Sequence, residues 1–272
     1  MVEAGGEVHI PRQLPPVDIG NTVLRFAVSV EAAPAPEIFD TIQGEGRNIG
    51  KPTVFARLSG CNLQCSWCDT PYTWAFTDTM AALHDEGVKY DRNAEQVKVT
   101  VGDAVDHITG YSTKRLVITG GEPMLQQRGV ARLAKTLKEK DPDYWIEVET
   151  NGTIAPSFET IQAVDQFNVS PKLSGSSNRP SKAIRADVMD AYAATPKADF
   201  KFVVSTENDV EEIKTLVARH KIKPEKVFLM PEGRIEEEVK ANQAKLVQVA
   251  IDNGFNVTTR LHVLIFGAKR GT

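Results

Sequence analysis

Short runs of apolar and β-branched residues alternate along this chain with longer stretches whose apolar residues recur at helical spacing. Six runs are predicted to be buried parallel strands, at 53–58, 115–119, 145–150, 166–170, 199–204 and 226–230. Helices are predicted over 101–110, 126–139, 208–219 and 235–253. Strands that alternate with helices give an α/β fold with a parallel sheet and right-handed crossovers. We expect an incomplete, open barrel of six βα units, with a doubly wound sheet as the alternative that periodicity leaves open.

Motifs of turn-forming or metal-binding residues follow five of these predicted strands. They are the cysteine loop after residue 58, Gly-Gly-Glu-Pro at 120–123, Thr-Asn-Gly at 150–152, Ser-Pro-Lys at 170–172 and Pro-Glu-Gly at 231–233. The last four are weak signals singly, because such sequences are common in turns. In parallel α/β folds the carboxyl ends of the strands meet at one edge, where ligands bind. We therefore expect a functional site at the C-terminal ends of the strands.

The three cysteines of the chain, Cys61, Cys65 and Cys68, are separated by only three and two residues. An odd number of cysteines at such short spacing is a poor disulfide framework and indicates a metal or cluster site in a reducing compartment. A structural zinc site takes four ligands, so zinc would need a distant residue to complete it. Three thiolates fit an iron–sulfur cluster in which one iron keeps an open coordination position, as a catalytic metal requires.

The composition is that of an ordinary globular protein with a sizeable core. Of the 272 residues, 41% are hydrophobic and 25% are charged. No run approaches the roughly 18 apolar residues of a membrane helix, and the N-terminus lacks the basic and apolar regions of a signal peptide. A net charge of −4 disfavours a broad nucleic-acid surface. We therefore expect a cytoplasmic protein without a membrane or nucleic-acid partner.

Three segments stand apart from the alternating pattern. Residues 1–36 hold five of the fifteen prolines and are predicted to be a proline-rich N-terminal arm, partly disordered or packed on the surface, ahead of one domain over 37–272. Residues 75–98 are charged and are predicted to form a surface insertion or a lid. The run 260–266, which contains His262, is predicted to be a terminal strand.

Around the cysteines the sequence resembles the radical S-adenosylmethionine enzymes, whose signature is Cys-x3-Cys-x2-Cys with an aromatic residue before the last cysteine, here Trp67. Beyond that motif, most of the chain after residue 36 is similar to the 7-carboxy-7-deazaguanine synthases. The segments that carry this resemblance, in the family's order, are EIFDTIQGEGRNIGKPTVFARLSGCNLQCSWCDTPYTW (37–74), TGGEPMLQ (119–126), ETNGT (149–153), VSPK (169–172), DFKFVVS (199–205) and LMPEG (229–233). The cysteine motif alone indicates only the superfamily, whereas the IQGEG and CDT motifs indicate this family within it.

The resemblance implies that the three cysteines hold a 4Fe–4S cluster, whose open iron binds the amino and carboxylate groups of S-adenosylmethionine. It places the methionyl ammonium against the backbone of Gly120 and Gly121 and against the carboxylate of Glu122. The other cofactor-binding residues that the family implies are Trp67, Cys68, Asp69, Ser170, Pro171, Lys172, Met230, Pro231, Glu232 and Gly233.

The resemblance also implies a pterin substrate. The implied substrate-binding residues are Ile42, Gln43, Gly44, Glu45, Arg57, Thr119 and, at the chain end, Thr272. Arg57 offers a fork for a carboxylate, and Glu45 can accept from the adjacent N–H donors of a pterin. Thr70 would bind a magnesium ion that engages the substrate carboxylate, the alternative being a hydroxyl that caps the next turn.

The implied reaction is the ring contraction of 6-carboxy-5,6,7,8-tetrahydropterin to 7-carboxy-7-deazaguanine with loss of ammonia. A 5′-deoxyadenosyl radical would abstract a substrate hydrogen and later return it, so that S-adenosylmethionine is regenerated. The same resemblance implies a flavodoxin-like reductant and a homodimer. Two other functions stay open here: a glycyl-radical enzyme activase, which shares the cluster motif but has no need of the IQGEG motif, and a zinc-binding adaptor built on the three cysteines.

Overall fold

The computed structural model describes residues 22–267 and 269–272. Its strands are β1 (Val23–Ala27), β2 (Ile38–Ile42), β3 (Pro52–Leu58), β4 (Gln96–Thr100), β5 (Arg115–Gly120), β6 (Trp145–Thr150), β7 (Gln166–Val169), β8 (Ala198–Val204), β9 (Val227–Pro231) and β10 (Asn256–Val257). Its helices are α1 (Asp78–Ala81), α2 (Arg92–Glu95), α3 (Val101–Thr109), α4 (Gln127–Lys140), α5 (Phe158–Ala163), α6 (Pro180–Ala183), α7 (Ala186–Ala193), α8 (Glu207–Arg219), α9 (Glu236–Asn253) and α10 (Leu261–Phe266). None of these helices has the length and apolar character needed to span a membrane.

The strands of the described residues form one mostly parallel sheet in the order β10-β9-β8-β7-β6-β5-β3-β1-β4, with β2 paired to β3 beside this path. The six strands predicted from the sequence are β3 and β5 to β9, and neighbours among them pair in parallel. Both β1 and β2 run antiparallel to β3, and β4 runs antiparallel to β1. Over the described ranges the path ends at β10 and β4 without closing, so the parallel α/β architecture is confirmed and the sheet is open.

The two faces of the parallel strands differ in polarity. Alternate side chains such as Val54, Ile118 and Val148 join a continuous apolar core with residues of α3, α4, α8 and α9. The opposite face, called here the polar face, carries buried polar side chains, among them Glu147, Gln166, Asn168, Asp199 and Lys201. Buried polar groups need hydrogen-bond partners, so this face is where a polar ligand site can be built.

Strand β1 corrects the expectation of an N-terminal arm up to residue 36. It lies between β3 and β4, and its Leu24 and Phe26 are fully buried in the core. The Gln126 side chain accepts from the Arg25 N–H at 2.8 Å and donates to the Arg25 carbonyl at 3.1 Å. The boundary is wrong for residues 23–27, because their apolar side chains fill the core beside β3. Residues 1–21 of the expected arm lie outside the described residues.

Two further segments differ from expectation. Residues 75–98 form α1, α2 and the start of β4, so part of the expected insertion or lid is an edge strand of the sheet. The predicted terminal strand is instead helix α10, whose backbone bonds run from Leu264 to Arg260 and from Gly267 to Val263. A short apolar run fits a strand or a helix equally well by periodicity alone.

Candidate active site

A cavity of about 560 Å³ opens at the C-terminal ends of the parallel strands, where the site was expected. The expected residues that line it are Ile42, Gln43, Gly44, Glu45, Arg57, Cys61, Cys65, Trp67, Cys68, Asp69, Thr70, Thr119, Gly120, Gly121, Ser170, Lys172, Met230, Glu232 and Thr272. Four other expected residues, Glu122, Pro171, Pro231 and Gly233, are outside this lining. The fold therefore brings most of the motifs, which are far apart in the chain, to one cavity.

Two glycines after β5 allow the end of this strand to approach the cysteine loop. A Cβ on Gly121 would lie 2.3 Å from the Gly60 carbonyl oxygen, and one on Gly120 would lie 1.9 Å from the Leu58 carbonyl oxygen. Gly120 also has a φ of +127°. The Gly121 N–H donates to the Leu58 carbonyl at 2.9 Å. Both positions therefore require glycine, and the pair fixes the cysteine loop against β5.

Each cysteine sulfur in this loop accepts from an N–H donor. The donor–sulfur pairs are Asn178 Nδ2 with Cys65 Sγ at 3.2 Å, Trp74 Nε1 with Cys68 Sγ at 3.4 Å, and the Leu63 N–H with Cys61 Sγ at 3.4 Å. Burial raises the pKa of the Cys65 thiol to about 11 and that of the Cys61 thiol to about 12. Free thiols here are therefore protonated at neutral pH, and the N–H donors stabilise the thiolates that a metal would bind.

Glu122 lies beneath the cavity. Its carboxylate is fully buried and accepts from the N–H groups of Met124 at 2.9 Å and Asn151 at 2.6 Å, and from the Thr150 hydroxyl at 2.7 Å. These donors tie the turn after β5 to the end of β6, and the carboxylate is outside the cavity lining. The contact of Glu122 with the methionyl ammonium stays a prediction.

Some of the other expected cofactor residues line the cavity wall, and the rest lie behind it as supports that hold the wall residues in place. On the wall, Lys172 Nζ donates to Ser170 Oγ at 2.8 Å and lies 5.8 Å from the centre of the Trp67 ring. Three residues act as supports: Pro171 is buried shortly after β7, Pro231 is buried as the last residue of β9, and the Gly233 carbonyl accepts from Arg260 Nη1 at 2.6 Å. The supports shape the turns that place the wall residues.

Glu45 is a largely buried carboxylate held between two cations. It pairs with the Lys201 ammonium and, at 3.3 Å, with Nε of Arg260, and His262 Nε2 lies 3.9 Å away. Burial alone would raise the pKa of Glu45, but the charges of Lys201 and Arg260 outweigh it and hold the pKa well below its usual range. The Glu45 side chain is therefore an anionic acceptor throughout the neutral pH range.

A second ion-pair cluster joins Arg57 to the chain end. Glu37 accepts from Arg57 Nε at 2.7 Å, from Arg270 Nε at 3.2 Å and from the Tyr72 hydroxyl at 3.3 Å. The Arg270 guanidinium also lies 3.5 Å from the centre of the Tyr72 ring. These contacts hold residues 269–272 at the cavity, so that Thr272 lines it as expected.

Comparisons with known proteins agree with this arrangement. Residues 42–188, which include all three cysteines, match a family model described as a 4Fe-4S single cluster domain. The 7-carboxy-7-deazaguanine synthase of Pyrobaculum aerophilum is 39% identical over 236 residues, covering 86% of this chain and 95% of that protein. This chain belongs to the 7-carboxy-7-deazaguanine synthase family. A relative of the same name from Halobacterium salinarum is 32% identical over 257 residues, covering 86% of this chain and 91% of that protein.

A solved structure supports the fold of this member of the 7-carboxy-7-deazaguanine synthase family. The crystal structure of QueE from Escherichia coli matches with a TM-score of 0.64 and 22% sequence identity, over 90% of this chain and 96% of that one. At this identity the likeness shows the fold alone. It confirms a mostly parallel α/β sheet as the frame of the cavity.

The residues of this 7-carboxy-7-deazaguanine synthase family member fit a 4Fe–4S cluster. Its three cysteines line one cavity, and each sulfur has a donor that stabilises a thiolate. Among residues 22–267 and 269–272, no three His, Cys, Asp or Glu side chains are placed to hold one metal ion. The protein ligands of a 4Fe–4S cluster bind different iron atoms, so they need not converge on one point.

Three charged residues in the cavity of this 7-carboxy-7-deazaguanine synthase family member have no role predicted from the sequence, although two of them lie in the segments 149–153 and 199–205. Glu149, Lys201 and Arg260 also line the cavity. Glu149 accepts from Thr119 Oγ1 at 2.8 Å and lies 3.6 Å from Lys201 Nζ. The sequence signal is that β6 and β8 carry charged residues at every second position of otherwise apolar runs. In a buried strand such residues share one face, which predicts a polar interior.

Proposed function

We propose that this chain catalyses the radical-mediated ring contraction of 6-carboxy-5,6,7,8-tetrahydropterin to 7-carboxy-7-deazaguanine with loss of ammonia, in 7-deazapurine biosynthesis of the queuosine type. One observation carries the proposal: a single cavity holds the three cysteine sulfurs together with Glu45, which Lys201 and Arg260 keep anionic. Relatives that match nearly their whole length bear the name of this synthase.

The cofactor half of the cavity would hold the 4Fe–4S cluster and S-adenosylmethionine, which when bound supply the electron and the radical chemistry. Cys61, Cys65 and Cys68 would ligate the cluster and leave one iron open for the amino and carboxylate groups of the cofactor. The backbone at Gly120 and Gly121, which lines the cavity, would contact the methionyl ammonium. The remaining proposed cofactor contacts are Trp67, Asp69, Ser170, Lys172, Met230 and Glu232.

The substrate half of the cavity would bind and orient the pterin. Glu45 would accept from the adjacent N–H donors of the aminopyrimidine edge. Arg57, held by Glu37 through Nε, would pair with the substrate carboxylate. The other proposed substrate contacts are Ile42, Gln43, Gly44, Thr119 and Thr272. A substrate held on all sides places its C–H bond for reaction and excludes water.

Replacing Arg57 with alanine is expected to raise the KM for the pterin about 10- to 100-fold, because a charge-assisted hydrogen bond to the substrate carboxylate contributes about 1.5–3 kcal/mol. Iron content should stay at the wild-type level. Steady-state kinetics and iron analysis measure the two quantities. Arg57→Lys keeps the charge without the fork and should give an intermediate KM. Loss of the cluster in Arg57→Ala would show that Arg57 supports the cysteine loop instead.

We propose Thr70 as a ligand of a magnesium ion that engages the substrate carboxylate. Thr70 lines the cavity and precedes the turn Pro71–Thr73, yet its side chain makes no capping hydrogen bond to that turn. Its Oγ1 lies 3.7 Å from Cys68 Sγ. The turn therefore does not use this hydroxyl, which is a hard oxygen ligand of the kind that magnesium prefers.

Replacing Thr70 with valine is expected to weaken the stimulation of turnover by magnesium, because the hydroxyl is lost while the shape is kept. The measurement is the rate of product formation as a function of magnesium concentration. Thr70→Ser retains the hydroxyl and should retain the response. A Thr70→Val enzyme with the wild-type magnesium response would remove this residue from the metal site.

Finer features belong to the same proposal. A flavodoxin-type protein would deliver the electron, two chains would form a homodimer, and the open sheet would be a partial barrel of six βα units. The unpaired state of all three cysteines supports a reducing, cytoplasmic location. Absorbance changes of flavodoxin mixed with the enzyme, and the molar mass in solution, test the first two.

The alternative, a glycyl-radical enzyme activase, is less well supported because an activase acts on a protein loop and has no use for a carboxylate fixed between two cations. The deciding experiment supplies the anaerobically reconstituted enzyme with S-adenosylmethionine, magnesium, reductant and either 6-carboxytetrahydropterin or a glycyl-radical-type peptide. We expect 7-carboxy-7-deazaguanine from the pterin and an unchanged peptide. The reverse result would favour the activase. Zinc without iron and sulfide, after anaerobic handling, would favour the adaptor.

A further inference from the structure

Glu147 is a buried carboxyl group that the proposed reaction does not use. It lies in β6 two residues before Glu149, its side chain is on the polar face, and it is 1% exposed. It is outside the described residues that line the cavity. A buried charge is costly unless its partners compensate, so the contacts of Glu147 indicate what it does.

Three side-chain amides donate to the Glu147 carboxylate. Gln43 Nε2 donates to Oε1 at 2.7 Å, and Asn48 Nδ2 donates to Oε2 at 2.7 Å. Asn168 Nδ2 also donates to Oε1. Two of these donors, Gln43 and Asn48, lie on either side of Glu45 in the loop after β2. Glu147 therefore anchors both ends of the segment that carries Glu45.

These bonds leave the Gln43 amide one favourable orientation. Its Nε2 donates to Glu147 and, at 3.4 Å, to Glu149, while its Oε1 accepts from the Glu45 N–H at 3.1 Å. A flipped amide would turn its oxygen toward two carboxylates and its nitrogen toward an N–H donor. Gln43 itself lines the cavity beside Glu45. The orientation of a cavity group is therefore set by a carboxylate that lies behind it.

We propose that Glu147 is a positioning residue for the pterin: it fixes the Gln43 amide and the loop 43–48, and through them the place of Glu45 in the cavity. The identity of the ligand rests on the proposed function. Glu147 acts through Gln43 and not on the reacting atoms, since it does not line the cavity.

Because Glu147 positions the pterin, the affinity for the pterin is expected to depend on the protonation state of Glu147. Burial, followed by the charge of Glu149, raises the pKa of Glu147 to about 7. The charged groups around it are Glu149 on β6, Arg115 on β5 with Nη2 3.9 Å away, and Lys201 on β8. The groups that face it from β7 and from the loop after β2 are amides. The ionised carboxylate accepts all three amide donors, whereas protonation sets an O–H against one of them. Pterin affinity should therefore fall as the pH drops through about 7.

The test compares the wild-type holoenzyme with Glu147→Gln and Asp209→Asn. Asp209 is a matched control because it is also a buried carboxylate, 5% exposed, but it accepts from Ser205 and Thr206 at the start of α8 and not from the loop 43–48. At pH 8 we expect Glu147→Gln to raise the KM for the pterin at least about 10-fold, the effect of losing a hydrogen bond to a charged group, with kcat within about two-fold. The Kd of the pterin, from equilibrium fluorescence titration, should rise equally. Asp209→Asn should leave both constants unchanged.

Two further measurements separate positioning from a general structural role. The wild-type KM should rise toward the Glu147→Gln value between pH 8 and pH 6, while the KM of Glu147→Gln lacks that part of the pH profile. In a Gln43→Ala background, adding Glu147→Gln should raise the KM by a smaller factor than it does in the wild-type background, because the two changes share the Gln43 contact and only the Asn48 contact remains to be lost. An unchanged KM in Glu147→Gln with a lowered melting temperature would overturn this proposal alone. Failure of the wild-type enzyme to bind and convert the pterin would overturn the proposed function with it.

Discussion

Replacing Cys65 with alanine is expected to remove the iron–sulfur cluster and to reduce product formation below detection. The chain has three cysteines, all in the loop after β3, so no other thiol can take the place of Cys65. Two thiolates leave a second iron without a protein ligand. The fold should persist, because the apolar core lies on the opposite face of the sheet, and we expect a loss of about 1 kcal/mol in the free energy of unfolding. Iron and sulfide content, product yield and thermal unfolding measure these outcomes.

The matched control for Cys65→Ala is Asn178→Ala, which keeps the thiol and removes its N–H donor at 3.2 Å. This variant should bind the cluster at a more negative reduction potential, because a hydrogen bond to a ligating sulfur stabilises the reduced, more negative cluster. A Cys65→Ala protein with full iron content and wild-type turnover would contradict the ligand assignment.

Replacing Glu45 with glutamine is expected to raise the KM for the pterin about 100-fold, which corresponds to about 3 kcal/mol. The change keeps the size of the side chain but removes the anion that Lys201 and Arg260 hold in place. A neutral amide accepts more weakly from the pterin N–H donors, and two buried cations lose a shared counter-charge. Since the pKa of Glu45 lies well below its usual range, Glu45 is ionised in the wild-type enzyme at both pH 6 and pH 8.

The matched control for Glu45→Gln is Glu139→Gln, the same chemical change at an exposed carboxylate of α4 outside the cavity lining. Glu139 pairs with Lys135 at 3.7 Å, and an ion pair at such an exposed site contributes little. The KM of Glu139→Gln should stay within about two-fold of the wild-type value. Cluster content should be normal in both variants. A Glu45→Gln enzyme with an unchanged KM would show that the pterin does not bind at this carboxylate.

The frame of the molecule is largely predictable from sequence, because buried parallel strands have a strong and local pattern. The runs at 53–58 and 115–119 became β3 and β5 with bounds shifted by a single residue. Strand β1 was not predicted, because its five residues follow a proline-rich stretch. Its position in the sheet is evident only from its pairing with β3 and β4. The run 260–266 has a length and composition that suit a strand or a helix, so local pattern could not decide between them.

Some features of the site can be predicted from local motifs, whereas others depend on contacts between residues far apart in the chain. The cysteines, Gly120 and Gly121 could be placed from motifs, because strand ends gather at one edge of a parallel sheet. The hydrogen-bond partners of Glu122 and Glu147 could not, because only folding decides which donors surround a carboxylate. Glu122 meets three donors beneath the cavity, and Glu147 meets three amides behind Gln43.

The most direct test of the central claim is a single anaerobic incubation of the reconstituted protein with S-adenosylmethionine, magnesium, a reductant and 6-carboxytetrahydropterin. Mass spectrometry quantifies 7-carboxy-7-deazaguanine and 5′-deoxyadenosine in the same sample. We expect the deazaguanine to accumulate well beyond the 5′-deoxyadenosine, because the cofactor is regenerated in each cycle. Cleavage of S-adenosylmethionine with the pterin left intact would contradict the proposed reaction.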